Sequence, residues 1–174
     1  MAFGFLNKFI GRDEPRDAWR PLYAATVSEA RLPHWYVEGA VPDTIDGRFD
    51  MVTLILSLVL LRLEVLGEDA GPGMAMITEV LVEDMEGQVR EIGFGDLVVG
   101  KHVGQMMGAL GGRLGAYRDG LNGGDLAGAL VRNLYRGEAP KAEALAHGEA
   151  QVRAVAARLN MLDLAALKSG QIEA

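Results

Sequence analysis

VPDTIDGRFDMVTLILSLVLLRLEVL, residues Val41–Leu66, is the stretch that decides the fold of this chain. Its centre, Met51–Leu61, is the longest apolar run in the sequence and is interrupted only by Thr53 and Ser57. The run does not alternate as a half-buried strand would, and its length and charged flanks favour a helix. It is also shorter than the roughly 20 apolar residues that span a bilayer. We expect a central core helix over about residues 47–66, and the alternative is a membrane-inserted segment.

The residues before this run carry the signals of a helix start. Pro42 disfavours the helical conformation for the residue before it. Asp43, Thr44 and Asp46 follow, and the side-chain oxygen of each type accepts hydrogen bonds from the free N–H groups of a first turn. The central helix is therefore expected to begin just after these polar residues.

Other apolar residues recur at spacings of three and four, which indicates further helices. They are expected at about residues 21–31, 74–91, 97–119, 125–136 and 140–159, with one short turn at 163–168. The aromatic residues His34, Trp35 and Tyr36 stand on a connector and look exposed; we expect them to be packing residues, and the alternative is a ligand site. The predicted fold is all-α, a single-domain bundle of six or seven helices without a sheet. An apolar segment and linker (1–15) precede the helical domain (16–160), and a C-terminal tail (161–174) follows it.

Composition restricts the function. The net charge is −7, and the segment 68–96 holds eight acidic residues against one basic residue, Arg90. This acidic segment opposes nucleic-acid binding, which needs cations against phosphate, and it is either a solvated helix face or a surface for a basic partner. There is no cysteine and no secretory signal pattern, so we expect a cytoplasmic protein.

The first ten residues are unusually apolar. Five bulky side chains, which stand beside Lys8, could lie in a membrane interface, dock on the core or fray. They are Phe3, Phe5, Leu6, Phe9 and Ile10. The membrane alternative predicts peripheral contact with the inner face of the cytoplasmic membrane.

Glycine recurs every four residues on the helix predicted at 97–119, at Gly100, Gly104, Gly108 and Gly112. Each interior glycine costs a helix about 1 kcal/mol relative to alanine. Four of them cost about 4 kcal/mol, a large part of a domain's stability. Close approach by another helix would offset this cost. We expect that helix to be the central one of this chain, and the alternative is a helix of a client protein.

No catalytic constellation is found. His34, His102 and His147 stand on separate predicted elements without the ligand spacing of a metal site. The nucleophile-elbow and phosphate-loop patterns are absent. We therefore predict no enzyme activity, no catalytic residue, no metal and no cofactor. Six charged residues stand near predicted helix ends and form either an ion-pair network or a partner-binding groove. They are Arg48, Asp50, Arg90, Glu91, Asp96 and Lys101.

Several motifs in their order resemble the ubiquinol–cytochrome c chaperone family. They are PDTIDGRFD (42–50), REIGFGDLVVGK (90–101), GRLGAY (112–117) and ALVRNLY (129–135). The likeness extends over roughly residues 19–135. It implies a helical protein that binds newly made cytochrome b and assists the assembly of ubiquinol–cytochrome c reductase. It also implies a small helical partner protein in some members, and it assigns no catalytic residue.

The candidate partner-binding residues combine the charged residues of these motifs with two glycines of the stripe. They are Arg48, Asp50, Arg90, Glu91, Asp96, Lys101, Gly104 and Gly108. The alternative function is a helical adaptor for another membrane or cytoplasmic protein.

Overall fold

The computed structural model describes residues 16–91 and 96–172, of which 88–91, 96–99, 102, 103 and 106 are described by their backbone only. The predicted all-α fold is confirmed, with eight α-helices and no strand in the described ranges. The predicted apolar N-terminal residues, Phe3, Phe5, Leu6, Phe9 and Ile10, lie outside these ranges. The helices are α1 (Arg20–Ala30), α2 (Pro33–Val37), α3 (Ile45–Leu66), α4 (Gly71–Glu91), α5 (Asp96–Leu121), α6 (Leu126–Asn133), α7 (Ala142–Asn160) and α8 (Leu164–Lys168).

Helix α3 is the centre of the bundle, as predicted. Every residue from Met51 to Leu60 is buried, and α1, α4, α5 and α7 pack around it. The two polar residues of this run satisfy their hydroxyls within the helix, since Thr53 donates to the Asp50 carbonyl (2.9 Å) and Ser57 to the Thr53 carbonyl (2.6 Å). Among the described helices, none has the length and apolar character needed to cross a membrane.

The start of α3 is set by local contacts. The Thr44 hydroxyl accepts from the backbone N–H of Gly47 at 3.1 Å and so caps the first turn. A Cβ at position 47 would collide with the carbonyl oxygen of Pro42, so only glycine fits here. The cap and the glycine together fix the angle at which the chain enters the central helix.

The connector before α3 differs from the prediction. Residues Pro33–Val37 form α2, and Trp35 is fully buried instead of exposed. Its indole N–H donates to the carbonyl of Glu29 at 2.9 Å, which satisfies its polar atom inside the core. His34 and Tyr36 are half-buried. Trp35 is therefore a packing residue, as expected. Its exposed appearance in the sequence arises because a short segment between helices has no periodicity that shows which residues face the core.

The C-terminal residues pack on the bundle. Leu167 of α8 and Ile172 are buried in the main core. Arg158 of α7 donates to the Ile172 carbonyl at 2.7 Å and to the buried carboxylate of Glu29 at 2.8 Å. The segment expected as a tail therefore contributes side chains to the same core as α1 and α7.

Candidate functional site

The motif at the head of α3 contains an aspartate that the core encloses. The side chain of Asp50 has no exposed surface, and each of its two oxygens accepts from a different arginine. Arg113 of α5 donates to one oxygen at 2.6 Å, and Arg136, which follows α6, donates to the other at 2.6 Å. Arg113 also donates to the Thr53 hydroxyl at 2.7 Å. Asp50 thus connects α3, α5 and the segment that leads to α7.

The two arginines occupy different environments. The Arg113 side chain is 13% exposed and lies 5.7 Å from the ring centre of Phe49, close enough for a cation–π contact. The Arg136 side chain is half exposed and makes a second ion pair with Asp46 at 2.9 Å. The hydrogen bond from Arg136 to Asp50 raises the pKa of that guanidinium above its ordinary value, so Arg136 stays charged wherever the protein is folded.

Arg136 also carries local backbone strain. Its φ is 52°, in the left-handed region that side chains other than glycine seldom adopt. Such a conformation is retained only where surrounding contacts determine it. Here the bonds to Asp50 and Asp46 hold the side chain, and Gly137, at φ 90°, continues the turn.

This arrangement bears on the two interpretations of the charged residues. An ion-pair network forms, but its members at Asp50 are Arg113 and Arg136, which the predicted set did not contain. Asp50 is enclosed and both its oxygens are occupied, so we assign it a structural role. Arg48 instead pairs with Asp43 on the surface at 2.6 Å, and this bond lowers the pKa of the Asp43 carboxyl. The side chains of Arg90, Glu91 and Asp96 lie outside the described residues.

No described part of the chain packs on the glycine stripe of α5. For Gly100, Gly104, Gly108 and Gly112, a Cβ would have no described atom within 4 Å. The expectation that α3 approaches the stripe is therefore wrong. α5 instead meets α3 through its second half, where Arg113 and Arg118 bond to Asp50 and Glu64. The later of these two residues of α5 bonds to the later residue of α3, so the two helices run in the same sense. The glycines of the stripe lie on another face of α5.

The exposed part of α5 is continuous with the stripe. Lys101, Gln105 and Ala109 are exposed beside Gly104 and Gly108. We call this surface the glycine face (residues 100, 101, 104, 105, 108 and 109). Three of its six residues are glycines, so a partner could approach the backbone closely along that line. Of the predicted partner-binding residues, it brings together Lys101, Gly104 and Gly108.

Two histidines that the sequence places on separate elements are in contact. His34 Nδ1 and His147 Nε2 lie 3.2 Å apart, which joins α2 to α7. Burial, and secondarily the neighbouring His147, lower the pKa of His34. The contact spans 113 residues of sequence, and no spacing rule predicts it. No group of three metal-ligating side chains occurs within the described ranges.

The acidic segment 68–96 is partly neutralised by its neighbours. Glu83 forms ion pairs with Arg20 at 2.7 Å and Arg16 at 3.6 Å. Asp84 accepts from the Tyr23 hydroxyl at 2.7 Å. These acids therefore attach α4 to the beginning of the described chain, and that part of the segment serves the fold.

Comparison with known proteins agrees with the fold and the motifs. The family model described as ubiquinol–cytochrome C chaperone matches residues 38–174, which include the Asp50 network and the glycine face. A crystal structure of the Cbp3 homolog from Brucella abortus resembles the chain with a TM-score of 0.75 and 30% sequence identity. The match covers 90% of this chain and 88% of that one. Among curated proteins, none matches. Because the family model covers well over half of the sequence, this chain belongs to the ubiquinol–cytochrome c chaperone family.

Proposed function

We propose that the protein is a non-enzymatic assembly chaperone that binds newly made cytochrome b and holds it during assembly of ubiquinol–cytochrome c reductase. Family membership supports the chaperone role. We further propose that it works on the cytoplasmic side of the membrane and that the glycine face of α5 contacts the client. A small helical partner protein would be compatible with this role.

The observation that carries the assignment of the surface is that no described residue packs on the stripe. Four interior glycines cost α5 about 4 kcal/mol relative to alanine. No described residue packs closely on Gly100, Gly104, Gly108 or Gly112, so packing within the described bundle does not offset that cost. Small residues in register let two helix backbones approach closely, which is how helices of membrane proteins associate. A helix of a membrane-protein client is a suitable occupant.

The test replaces a glycine of the face by leucine. In Gly104→Leu and Gly108→Leu, the Cβ of the added side chain has no described atom within 4 Å, so the isolated protein should keep its stability or gain up to about 1 kcal/mol from better helix propensity. The same side chain should block close approach of a client helix. We therefore expect less cytochrome b to co-purify with each variant while the free energy of unfolding does not fall.

Helix α4 offers a matched control. Gly87 is also exposed and lies inside a helix, and a Cβ added to it would have no described atom within 4 Å. Gly87→Leu should gain stability in the same way but capture cytochrome b normally. Normal capture by all three variants would remove the glycine face from the proposal.

The role itself is tested by deletion of the gene, which should lower ubiquinol–cytochrome c reductase specifically. The measurement is the amount of that complex in membranes, compared with the amounts of other membrane complexes from the same cells. Equal loss of unrelated membrane complexes would favour a general adaptor.

A further inference from the structure

A second surface, remote in sequence from the glycine face, has the form of a binding groove. It lies between the connection from α2 to α3 and the connection from α6 to α7, and its volume is about 600 Å³. Buried Tyr135 and Ala144 line it, together with the side chain of Val37, which is 75% exposed. A concave surface lined mostly by apolar side chains with a few polar groups is the usual form of a binding site.

The groove is formed before any partner binds. The Tyr135 hydroxyl donates to the Gly39 carbonyl at 2.6 Å and so ties the two connections together. Burial raises the pKa of Tyr135 to about 12, so the hydroxyl keeps its proton at neutral pH. Pro42 and Pro140 restrict the backbone of the two walls. A preformed site loses less conformational entropy on binding than one that must first be ordered.

Negative charge surrounds this groove. Glu38, Glu138 and Glu143 line it against one cation, Lys141. All four side chains are exposed, and none forms an ion pair with another described residue. We call this surface the acidic groove (residues 37–42 and 135–144). Its three carboxylates are available to a partner, whereas Glu83 of the acidic segment is already bonded.

Another groove of similar volume, about 590 Å³, lies where the last turns of α3, α5 and α7 meet. Its cations are engaged by the fold, since Arg118 pairs with Glu64, Arg153 pairs with Glu149 and Arg62 donates to the Leu162 carbonyl. Of the two grooves, the acidic groove is therefore the one whose charges are available.

We propose that the acidic groove binds a segment of the client in which lysine or arginine side chains stand beside apolar residues. The inference rests on the proposed function, since a cytoplasmic chaperone for a membrane protein meets its cytoplasmic loops. Such loops carry an excess of lysine and arginine next to apolar spans. Their charge complements the three glutamates, and their apolar residues suit the surface around Val37 and Tyr135.

The experiment measures cytochrome b that co-purifies with the full chain when the two are synthesised together. The variant Glu38→Lys/Glu138→Lys/Glu143→Lys should retain about one tenth of the wild-type capture at low salt, because three attractive contacts become repulsive. The difference should shrink as salt is raised, since exposed charges are screened. Lys141→Glu replaces the cation of the groove by a fourth carboxylate, so it should raise the capture of cytochrome b about twofold.

The matched control reverses three exposed acids elsewhere, in Glu68→Lys/Asp69→Lys/Glu79→Lys, and makes the same change in net charge. It should capture cytochrome b nearly as well as the wild type. Equal capture by both triple variants, or a Lys141→Glu variant that captures less, overturns the acidic groove while leaving the chaperone role intact. A wild-type chain that captures no cytochrome b overturns the proposed function and this inference with it. Light scattering measures whether the wild type forms a dimer that the groove variant has lost. If it does, and capture of cytochrome b is unchanged, the groove binds a second copy of this chain and the proposal is overturned.

Discussion

Replacement of Asp50 by asparagine tests whether the buried ion-pair network holds the bundle together. Asparagine has nearly the same shape, so packing is preserved. It keeps one acceptor oxygen but presents an NH₂ group to the second arginine, where donor faces donor. Arg113 of α5 and Arg136, which follows α6, therefore both lose the negative charge of their shared partner, and one of them also loses its hydrogen bond.

The magnitude follows from burial. The Asp50 side chain is wholly inaccessible and Arg113 is 13% exposed, so Arg113 retains a largely desolvated charge when its partner is neutralised. Breaking a buried ion pair from one side costs about 3–5 kcal/mol. Arg136 is half exposed and can still bond to water and Asp46, so its contribution to the loss of stability is small. Because one hydrogen bond survives, we expect a loss of about 3 kcal/mol, a substantial part of the stability of about 5–15 kcal/mol typical of a domain.

Urea denaturation followed by far-ultraviolet circular dichroism measures this loss. With a slope of about 1–3 kcal/mol per molar urea, the midpoint should fall by at least about 1 M while the slope stays unchanged. Asp46→Asn is the matched control, because Asp46 bonds the same Arg136 but is 69% exposed, and its loss should stay within about 1 kcal/mol. Equal midpoints for the Asp50 and Asp46 variants would refute the view that the buried network stabilises the fold.

Three further predictions concern glycine and histidine. Gly47→Ala should destabilise the protein by about 1–3 kcal/mol in urea denaturation, because the added Cβ collides with the Pro42 carbonyl. Gly104→Ala should instead stabilise it by up to about 1 kcal/mol in the same assay, because the Cβ enters open space and alanine favours the helix; a loss of stability would show that a part of the chain covers the stripe. Burial and His147 lower the pKa of His34 below 6.5. As the pH falls, the imidazole of the unfolded chain therefore takes up a proton at a higher pH than the imidazole of the folded protein. The free energy of unfolding should thus decrease as the pH drops below about 6.5. In His34→Gln this part of the pH dependence should be lost, and an unchanged profile from about pH 7 to 5 would contradict the assignment.

The main helices could be predicted because their signals are local. The apolar run Met51–Leu61 and the polar residues before it act within a few turns, and α3 forms over Ile45–Leu66 as a buried helix. Asp125 and Asp163 cap α6 and α8 by accepting from N–H groups three residues further on. The motifs likewise identified the family, since they are contiguous in sequence.

The surroundings of the predicted site residues could not be derived from the sequence, because they depend on how helices face one another. Gly104 and Gly108 were expected to pack against α3, but no described residue of α3 lies close to them. The period of four shows that they share one side of α5, but it does not show which part of the protein that side faces. Asp50 was a candidate for partner binding, yet its surroundings place it inside the core. Trp35 was expected to pack but looked exposed on a connector, since nothing local indicates that a five-residue helix turns it inward.

By itself the sequence determined the all-α class and the position of the central helix, because caps and hydrophobic periodicity operate over at most a few turns of chain. It also identified the family, because the motifs are contiguous in sequence. Only the tertiary structure decided which charges meet. The pairs Asp50–Arg113 and Asp50–Arg136 join residues 63 and 86 positions apart. Their formation depends on the packing of α5 against α3 and on the left-handed turn at Arg136. The acidic groove exists for the same reason, since two connections far apart in sequence become its walls once Tyr135 bonds to Gly39.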